Sequence, residues 1–538
     1  MQRREFMELL AAAGTGALLA DRVSGEETPA PSSEKKLIGM YVHECWVYNR
    51  PYAARCWTDE DWHGYLDGLS RLGFNLISIW PQLEIMPNPL TASDRAKLHQ
   101  LRRVIDMAHR EFGMKAWVIL CPNNIPLDEY ARRSTFENRS FSGSELRIDP
   151  ADPQAMDDLI ARRELLLKPL SEMDALVIID SDPGGYPNST NKEFVDLLIR
   201  HRKILDRLRP GAIELIYWVW SGWGACGRIL ATGEGTDGTE SDFLETLAML
   251  KERNPEPWGL ARGLEYAKKL GLQSKVINFD YGAIECEPAF PMTNLGVHRG
   301  GDPYKAGQEM APRGTMANAQ THCLQLPNTF AFVRGARGLP LADQDYIHFA
   351  DDLIPGQGER IFTAWKVLGG TDSERMKRCA AELAPFVKAK LEPGPLKGLL
   401  FGDANRFAED LYIMLRLRAA CCDFMNASAQ NLPVFKPFAE LVAWLDRWQI
   451  VTGYQGWWGL SAGGDIDFHL RKLGVPRLAE FYRYVSKNCM KTGVGTPMER
   501  ATTGNYYNET ETLRLIRALK QTLWEMDPAN PNSSLMNP

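Results

Sequence analysis

Two aspartates separated by one residue end an apolar segment in the first half of the chain. The stretch Ala175-Leu-Val-Ile-Ile-Asp-Ser-Asp-Pro-Gly-Gly-Tyr186 begins as a strand and ends in Asp180, Asp182 and a Pro-Gly-Gly turn. Residues two apart on a strand point to the same side, so both carboxyl groups are expected to face the same cavity. Cleavage of a glycosidic bond needs two carboxyl groups, one to protonate the leaving oxygen and one to assist attack at the anomeric carbon.

Further acids, amides and aromatic residues lie where other predicted strands end. Acids and amides hydrogen-bond sugar hydroxyls, and aromatic rings stack on the C–H faces of sugars. We expect catalysis from Asp182, Asp180 and Asp280. Substrate binding is expected from residues after the strands and from one tryptophan in a C-terminal loop: Glu44, Trp46, Trp80, Asn124, Trp218, Trp220, Trp223, Tyr281, Glu285, His322 and Trp457.

Each of these assignments has a structural alternative. An aspartate can instead cap a loop or hold an arginine, and Glu44 can form a salt bridge at the barrel rim. His322 can be a hydrogen-bonded core residue, and Trp218 and Trp220 can be plain core. Within the aspartate pair, Asp182 is the expected general acid because it lies beside the Pro-Gly-Gly turn. Its neighbour on the strand would tune its pKa or hold the substrate.

An alternation of apolar strands with amphipathic helices must position these residues. Strands are predicted at 37–43, 74–80, 115–121, 175–179, 213–220, 274–279, 314–326 and, closing the ring, 339–349. Helices are predicted at 59–72, 92–112, 152–173, 192–209, 240–253 and 258–270, with a long loop at 122–150. Seven or eight parallel β/α units favour a (β/α)8 barrel with its active site at the C-terminal strand ends. An open Rossmann-type sheet is the weaker alternative, because no GxGxxG motif opens the first helix.

Three segments are predicted along the chain. Residues 1–34 contain Arg3-Arg4 before a short apolar stretch, which predicts a twin-arginine export signal and a flexible leader. An amphipathic N-terminal helix is the alternative, and the apolar stretch is too short for a membrane span. Residues 35–355 form the predicted barrel, and long helical patterns predict an all-α domain over 356–538. The mature protein is therefore expected in the periplasm or outside the cell.

Composition excludes several classes of partner. A formal net charge of −6 gives no general basic surface, so nucleic acid is not expected as a partner. The 10 cysteines form no CxxC pair, and the 9 histidines show no HxH or HExxH spacing. No metal and no cofactor are therefore predicted, and the partner expected is a carbohydrate. Most cysteines are expected to be buried free thiols, although one or two disulfides stay open for an exported protein.

The chain resembles the (β/α)8 glycoside hydrolases related to α-glucuronidases and β-N-acetylhexosaminidases. The features that carry the resemblance are Leu146-Arg-Ile-Asp-Pro150, the Asp-Ser-Asp-Pro-Gly-Gly-Tyr segment quoted above, and Phe349-Ala-Asp-Asp-Leu-Ile-Pro355 before a helical tail. In hexosaminidases the two acids after strand four are adjacent, whereas here Ser181 separates them, a departure from the acetamido-assisted pattern.

α-Glucuronidases show a different pattern. In them, an acid after strand four works with acids from later strands. This pattern implies a general acid at Asp182 or Asp180 and a base at Asp280 or Glu285. The sequence thus predicts an exported glycoside hydrolase. A carbohydrate-binding barrel without catalysis, and an exported lyase or epimerase acting on sugars, are the alternatives.

Overall fold

Eight parallel strands close into a barrel whose order is β1-β10-β9-β8-β7-β6-β3-β2. The computed structural model describes residues 35–44, 49–139, 145–181, 184–186, 189–223, 238–284, 301–319, 321–452, 466–474, 477–480 and 509–530. The barrel strands are β1 (Leu37–His43), β2 (Leu76–Trp80), β3 (Lys115–Leu120), β6 (Ala175–Ile179), β7 (Glu214–Trp218), β8 (Trp258–Ala261), β9 (Val276–Asp280) and β10 (Gly314–Ala319). A separate antiparallel hairpin contains β4 (Asn124–Pro126) and β5 (Glu145–Arg147). The predicted (β/α)8 barrel is therefore confirmed.

Helices follow the strands and then continue alone. Those of the barrel region are α1 (Asp59–Leu72), α2 (Ala92–Arg110), α3 (Asp128–Ala131), α4 (Pro153–Leu167), α5 (Asn191–Leu208), α6 (Glu240–Arg253), α7 (Leu264–Lys269), α8 (Pro303–Gln308), α9 (Leu326–Ala336) and α10 (Asp343–Leu353). The helical C-terminal region contains α11 (Gly358–Leu368), α12 (Ser373–Val387), α13 (Ala404–Ala429), α14 (Phe435–Thr452), α15 (Ile466–Lys472) and α16 (Glu509–Met526). None of these described helices is both long and apolar enough to cross a bilayer.

Local sequence signals explain where the best-predicted helices begin. Thr58 accepts the backbone N–H of Asp61, whose carboxylate accepts the N–H of Thr58, so α1 starts with a capping box. It ends at Gly73, whose φ of 108° is the left-handed conformation that glycine adopts without strain. Thr91 and Asp94 repeat the capping box at the start of α2.

Strand register decides which side chains fill the barrel. The ring of Tyr41 on β1 meets those of Trp218 and Phe279 edge-on, at centroid distances of 5.7 and 5.5 Å. These three rings therefore point toward the barrel axis. Side chains alternate along a strand, so the residue after each of them points to the surrounding helices.

One helix prediction and one strand prediction were wrong. Residues 258–261, predicted as the start of a helix, form β8, and only Leu264–Lys269 is helical. Residues 339–349, predicted to close the ring, belong largely to α10, in which Asp345 accepts the backbone N–H of Ala342 at the helix start. The predicted loop at 122–150 also contains α3 and the β4–β5 hairpin.

The helical C-terminal region packs against loops of the barrel. Trp57 meets Phe401 at 4.8 Å, and Tyr52 meets Trp448 at 6.2 Å between ring centroids. From Lys36 onward the chain forms one compact unit. The boundary at residue 355 stays a prediction, and the predicted signal in residues 1–34 lies outside the described residues.

Candidate functional site

Asp180, which directly follows β6, is fully buried and accepts five hydrogen bonds. The donors are the hydroxyls of Ser181 and Tyr217, both at 2.9 Å, and the backbone N–H groups of Trp220, Ser221 and Gly222, at 3.1, 3.0 and 3.0 Å. Burial raises the pKa of this carboxyl, and the hydrogen bonds oppose that effect. The group fixes the loop after β7 to the end of β6.

The side chain of Asp180 faces the helices instead of the barrel axis. Its partner Tyr217 neighbours the inward Trp218 and packs its ring on Phe194 of α5, 5.2 Å between centroids. Ile178, two residues before Asp180, pairs in register with Tyr217. The predicted direction of Asp180, toward the axis, is therefore wrong, and its catalytic role stays a prediction.

Asp280, the last residue of β9, also points away from the axis. It follows the inward Phe279 and shares its side of the strand with Asn278, whose amide donates to the carbonyl of Glu309 at 2.8 Å. Burial raises the pKa of Asp280, the charge of Glu309 adds to this, and Arg262 opposes it. The prediction that Asp280 lines the central cavity is wrong because strand alternation turns it outward.

Four predicted site residues lie outside the described residues: Trp46, Asp182, Glu285 and Trp457. Their roles remain predictions. The chain on either side of Asp182 is nevertheless tied down, by the five donors to Asp180 before it and by the Gly185 N–H, which donates to Asn123 Oδ1 at 2.9 Å, after it.

Two predicted polar binding residues have structural partners instead. The Glu44 carboxylate lies 2.9 Å from Lys97 Nζ on α2, with both side chains almost fully buried. This is the salt-bridge alternative, and it corrects the assignment of Glu44 to substrate. Asn124 is fully buried in the β4 hairpin, where its backbone carbonyl accepts a hydrogen bond from Arg163 at 2.8 Å, and its assignment to substrate stays a prediction.

Three of the predicted aromatic platforms are core residues. Trp218 packs inside the barrel, 4.5 Å from Phe279 between ring centroids. Trp223 is fully buried and stacks on Phe194 at 5.2 Å, and Trp80 packs against His43 at 4.7 Å. A sugar platform needs one open ring face, so these three assignments are corrected.

Trp220 and Tyr281 remain partly open at the mouth. Their ring centroids are 5.1 Å apart and their planes are nearly perpendicular, at 76°. The guanidinium of Arg262, which follows β8, lies 4.8 Å from the Trp220 centroid. Sequence analysis missed Arg262 because the predicted helix at 258–270 concealed the end of a strand.

His43 and His322 are buried near each other at the mouth end. Burial lowers the pKa of each to about 3, so both rings are neutral at physiological pH. Nδ1 of His322 lies 2.7 Å from the Tyr65 hydroxyl on α1, and its ring packs on Trp57 at 5.0 Å. His322 is thus the hydrogen-bonded core residue of the alternative, which corrects its assignment to substrate.

Within the described part of the chain, no group of three or more His, Cys, Asp or Glu side chains is arranged to hold a metal ion. Six cysteines fall in that part, and all are free thiols: Cys56, Cys121, Cys323, Cys379, Cys421 and Cys422.

No protein-family model matches the chain, and no curated protein matches its sequence. Among solved structures, it is similar to a GH138 enzyme targeting pectin rhamnogalacturonan II, with a TM-score of 0.45 and 10% identity over 97% of this chain and 70% of that one. It is also similar to CpGH84D, with a TM-score of 0.41 and 12% identity over 76% and 68%. The O-GlcNAc hydrolase of Thermobaculum terrenum has a TM-score of 0.38 and 10% identity over 85% and 98%. All three likenesses have TM-scores below 0.5 and identities of 10–12%.

Proposed function

We propose that the protein is an exported glycoside hydrolase that receives its carbohydrate at the C-terminal mouth of the barrel. The Trp220–Tyr281 pair carries the proposal, because both rings are only half-buried at the end where such barrels hold their active sites. Aromatic rings bind the C–H faces of sugars, and polar groups beside them fix hydroxyls. Export follows from the Arg3-Arg4 signal.

Asp182 is the proposed general acid. The fixed chain on both sides supports this role, because a catalytic group must be held in place by its surroundings. Gly184 lets the chain pass close to Pro122, since a Cβ atom there would lie 2.3 Å from Pro122 Cγ. The turn therefore packs tightly at the mouth.

Glu285 is the proposed second carboxylate, in place of Asp280. The segment that leads to Glu285 is tied to the neighbouring strand, because Gly282 N–H donates to Asn318 Oδ1 at 2.8 Å. Ala283 and Ile284 are fully buried, which anchors the chain just before the acid. Asp182 and Glu285 thus follow two different barrel strands, as catalytic residues of this fold do.

A carbohydrate-binding barrel without catalysis is the second candidate. It is favoured by one observation: two of the three predicted catalytic acids, Asp180 and Asp280, are turned away from the axis. Binding needs the aromatic pair but not the acids.

Activity against a panel of glycans and activated aryl glycosides, with product detection, separates the two candidates. We expect Asp182→Asn to lower turnover of a natural glycan by about 10²–10⁴-fold. An aryl glycoside, whose leaving group needs no protonation, should lose less. Asp280→Asn serves as the matched control and should retain activity. Glycan binding without any turnover by the wild type would favour the binding barrel.

A further inference from the structure

Gln82 lies two residues beyond the end of β2 and combines two unfavourable features. Its backbone is left-handed, with φ 57° and ψ 45°, although it is not a glycine. Its side chain is fully buried, and neither Oε1 nor Nε2 has a hydrogen-bond partner among the described residues. Both features cost stability, because left-handed backbone strains residues with a Cβ and a buried amide without partners loses its hydration.

The local turn does not require a glutamine. The Gln82 carbonyl accepts the N–H of Ile85 at 3.1 Å, and glycine would form the same turn with less strain. Two other left-handed residues, Asn254 and Asn431, lie just after α6 and α13, where this conformation is common. Gln82 instead follows a barrel strand, as does Arg262, another left-handed residue, directly after β8.

The opposite end of β2 shows how the fold treats an amide that serves structure. Asn75, just before the strand, accepts the N–H of Ile38 at 2.7 Å and donates to the carbonyl of Lys36 at 3.0 Å. Both halves of that amide are used. Glu44 is as buried as Gln82, but Lys97 neutralises it.

The surroundings hold Gln82 firmly at the mouth. Trp80 packs on His43 just before it. Just after it, the Glu84 carboxylate accepts the N–H of Cys121 at the end of β3 and lies 3.7 Å from Arg163 Nη1. The chain on both sides of Gln82 is thus tied to the ends of β1 and β3.

We infer that Gln82 is a substrate-binding residue that selects the sugar by its hydroxyl groups. Oε1 accepts a hydrogen bond from one hydroxyl, and Nε2 donates to the oxygen of its neighbour. This inference rests on the proposed carbohydrate function of the mouth. A site built to hydrogen-bond a hydroxyl discriminates strongly against sugars that lack it. Strain and unpaired buried groups collect at such functional positions.

Two substitutions separate binding from structure. Gln82→Met keeps the length of the side chain but cannot form the hydrogen bonds, and Gln82→Gly relieves the backbone. Binding is measured on a glycan microarray and, for each glycan that the wild type retains, by calorimetry. We expect the dissociation constant to rise about 10- to 100-fold for Gln82→Met, as for the loss of two hydrogen bonds. Melting temperature should stay the same or rise for Gln82→Met, because an unpaired amide is removed, whereas Gln82→Gly relieves the backbone but also leaves a cavity where the side chain was.

Asn254→Gly is the matched control, since it relaxes a left-handed residue at the far end of the barrel and should leave glycan binding unchanged. If Gln82→Met binds glycans as the wild type does, or if its melting temperature falls as it would on losing a structural partner, the inference is overturned and the carbohydrate function stands. If the wild type binds no glycan on the array and cleaves none in the panel, both the inference and the proposed function are overturned.

Discussion

The two ends of the barrel treat polar groups differently. At the N-terminal end, Glu214 and Arg313 form two hydrogen bonds of 2.7 Å, and the Asp174 carboxylate lies 2.7 Å from His109 and accepts the Ala116 N–H at 2.8 Å. At the mouth, the Gln82 amide, Trp218 Nε1 and His322 Nε2 are among the buried groups without a hydrogen-bond partner among the described residues, and Thr315 Oγ1 near the N-terminal end also has none.

This contrast separates what the barrel needs for stability from what it needs for chemistry. Unpaired buried groups are rare in folded proteins because each costs free energy. The ion pairs at the N-terminal end are partly exposed to water, whereas the unpaired Gln82 amide is fully buried at the end where (β/α)8 barrels hold their sites. Other groups at the mouth are paired, such as Glu44 with Lys97, and the five hydrogen bonds of Asp180 make it a structural support for the site.

The largest expected effect therefore comes from Asp180. Asp180→Ala leaves five donors without their acceptor, three of them backbone groups, and should lower the free energy of unfolding by about 3–5 kcal/mol. Asp174→Ala at the opposite end is the matched control. Its side chain is 33% exposed, so water replaces part of the loss, and about 1 kcal/mol is expected. Urea unfolding measures both, and equal losses would contradict the structural role of Asp180.

The next largest effects are expected from replacing Trp223 and Trp220, which lie three residues apart. Trp223→Ala opens a cavity against Phe194 and should cost about 3–5 kcal/mol of stability. Trp220→Ala removes a half-buried ring at the mouth and should raise the Michaelis constant about tenfold with a stability loss near 1 kcal/mol. Thermal unfolding and steady-state kinetics on the same two variants test the pair. A Trp220→Ala variant with normal kinetics but low stability would make that ring a core residue as well.

The sequence predicted the elements better than the directions of their side chains. Helix α1 was predicted with its observed bounds because Thr58 and an apolar period of 3.6 mark it locally. Strand β8 was missed because it has four residues and one is Gly259. Parallel barrel strands are apolar on both faces, so no alternation in the sequence shows which residues face the axis. The inward direction of Asp180 and Asp280 could not be checked without the register.

The candidate site was predicted only in part for a related reason. Trp220 and Tyr281 were found because aromatic residues after a strand are visible in the sequence. Whether a buried amide has a partner depends on residues far away in the chain, as the Asn75 bond to Ile38 illustrates. Gln82 therefore carries no local signal beyond its place after β2.

The smallest expected effects, about 1.4 kcal/mol or less at pH 5.5, are the pH dependences of one histidine at each end of the barrel. Burial lowers the pKa of His322 to about 3 in the folded protein, against about 6.5 when unfolded. Its contribution to stability is present above pH 6.5 and is lost, by about 1.4 kcal/mol per pH unit, as the pH falls from 6.5 toward 3. The hydrogen bond to Asp174 raises the pKa of His109 above 6.5, so its contribution is present below that pH and is lost as the pH rises through the folded pKa. That pair is about one-third exposed, so the contribution should stay below about 1 kcal/mol.

NMR titration of the histidines, with urea unfolding of the wild type and of His109→Asn at pH 5.5 and 8, measures both signs. At pH 5.5 the wild type should exceed His109→Asn in stability, and at pH 8 the difference should shrink. If His322 instead titrates near pH 6.5, water reaches its ring. The two ends of the barrel would then not differ in the way that the two histidine pKa values predict.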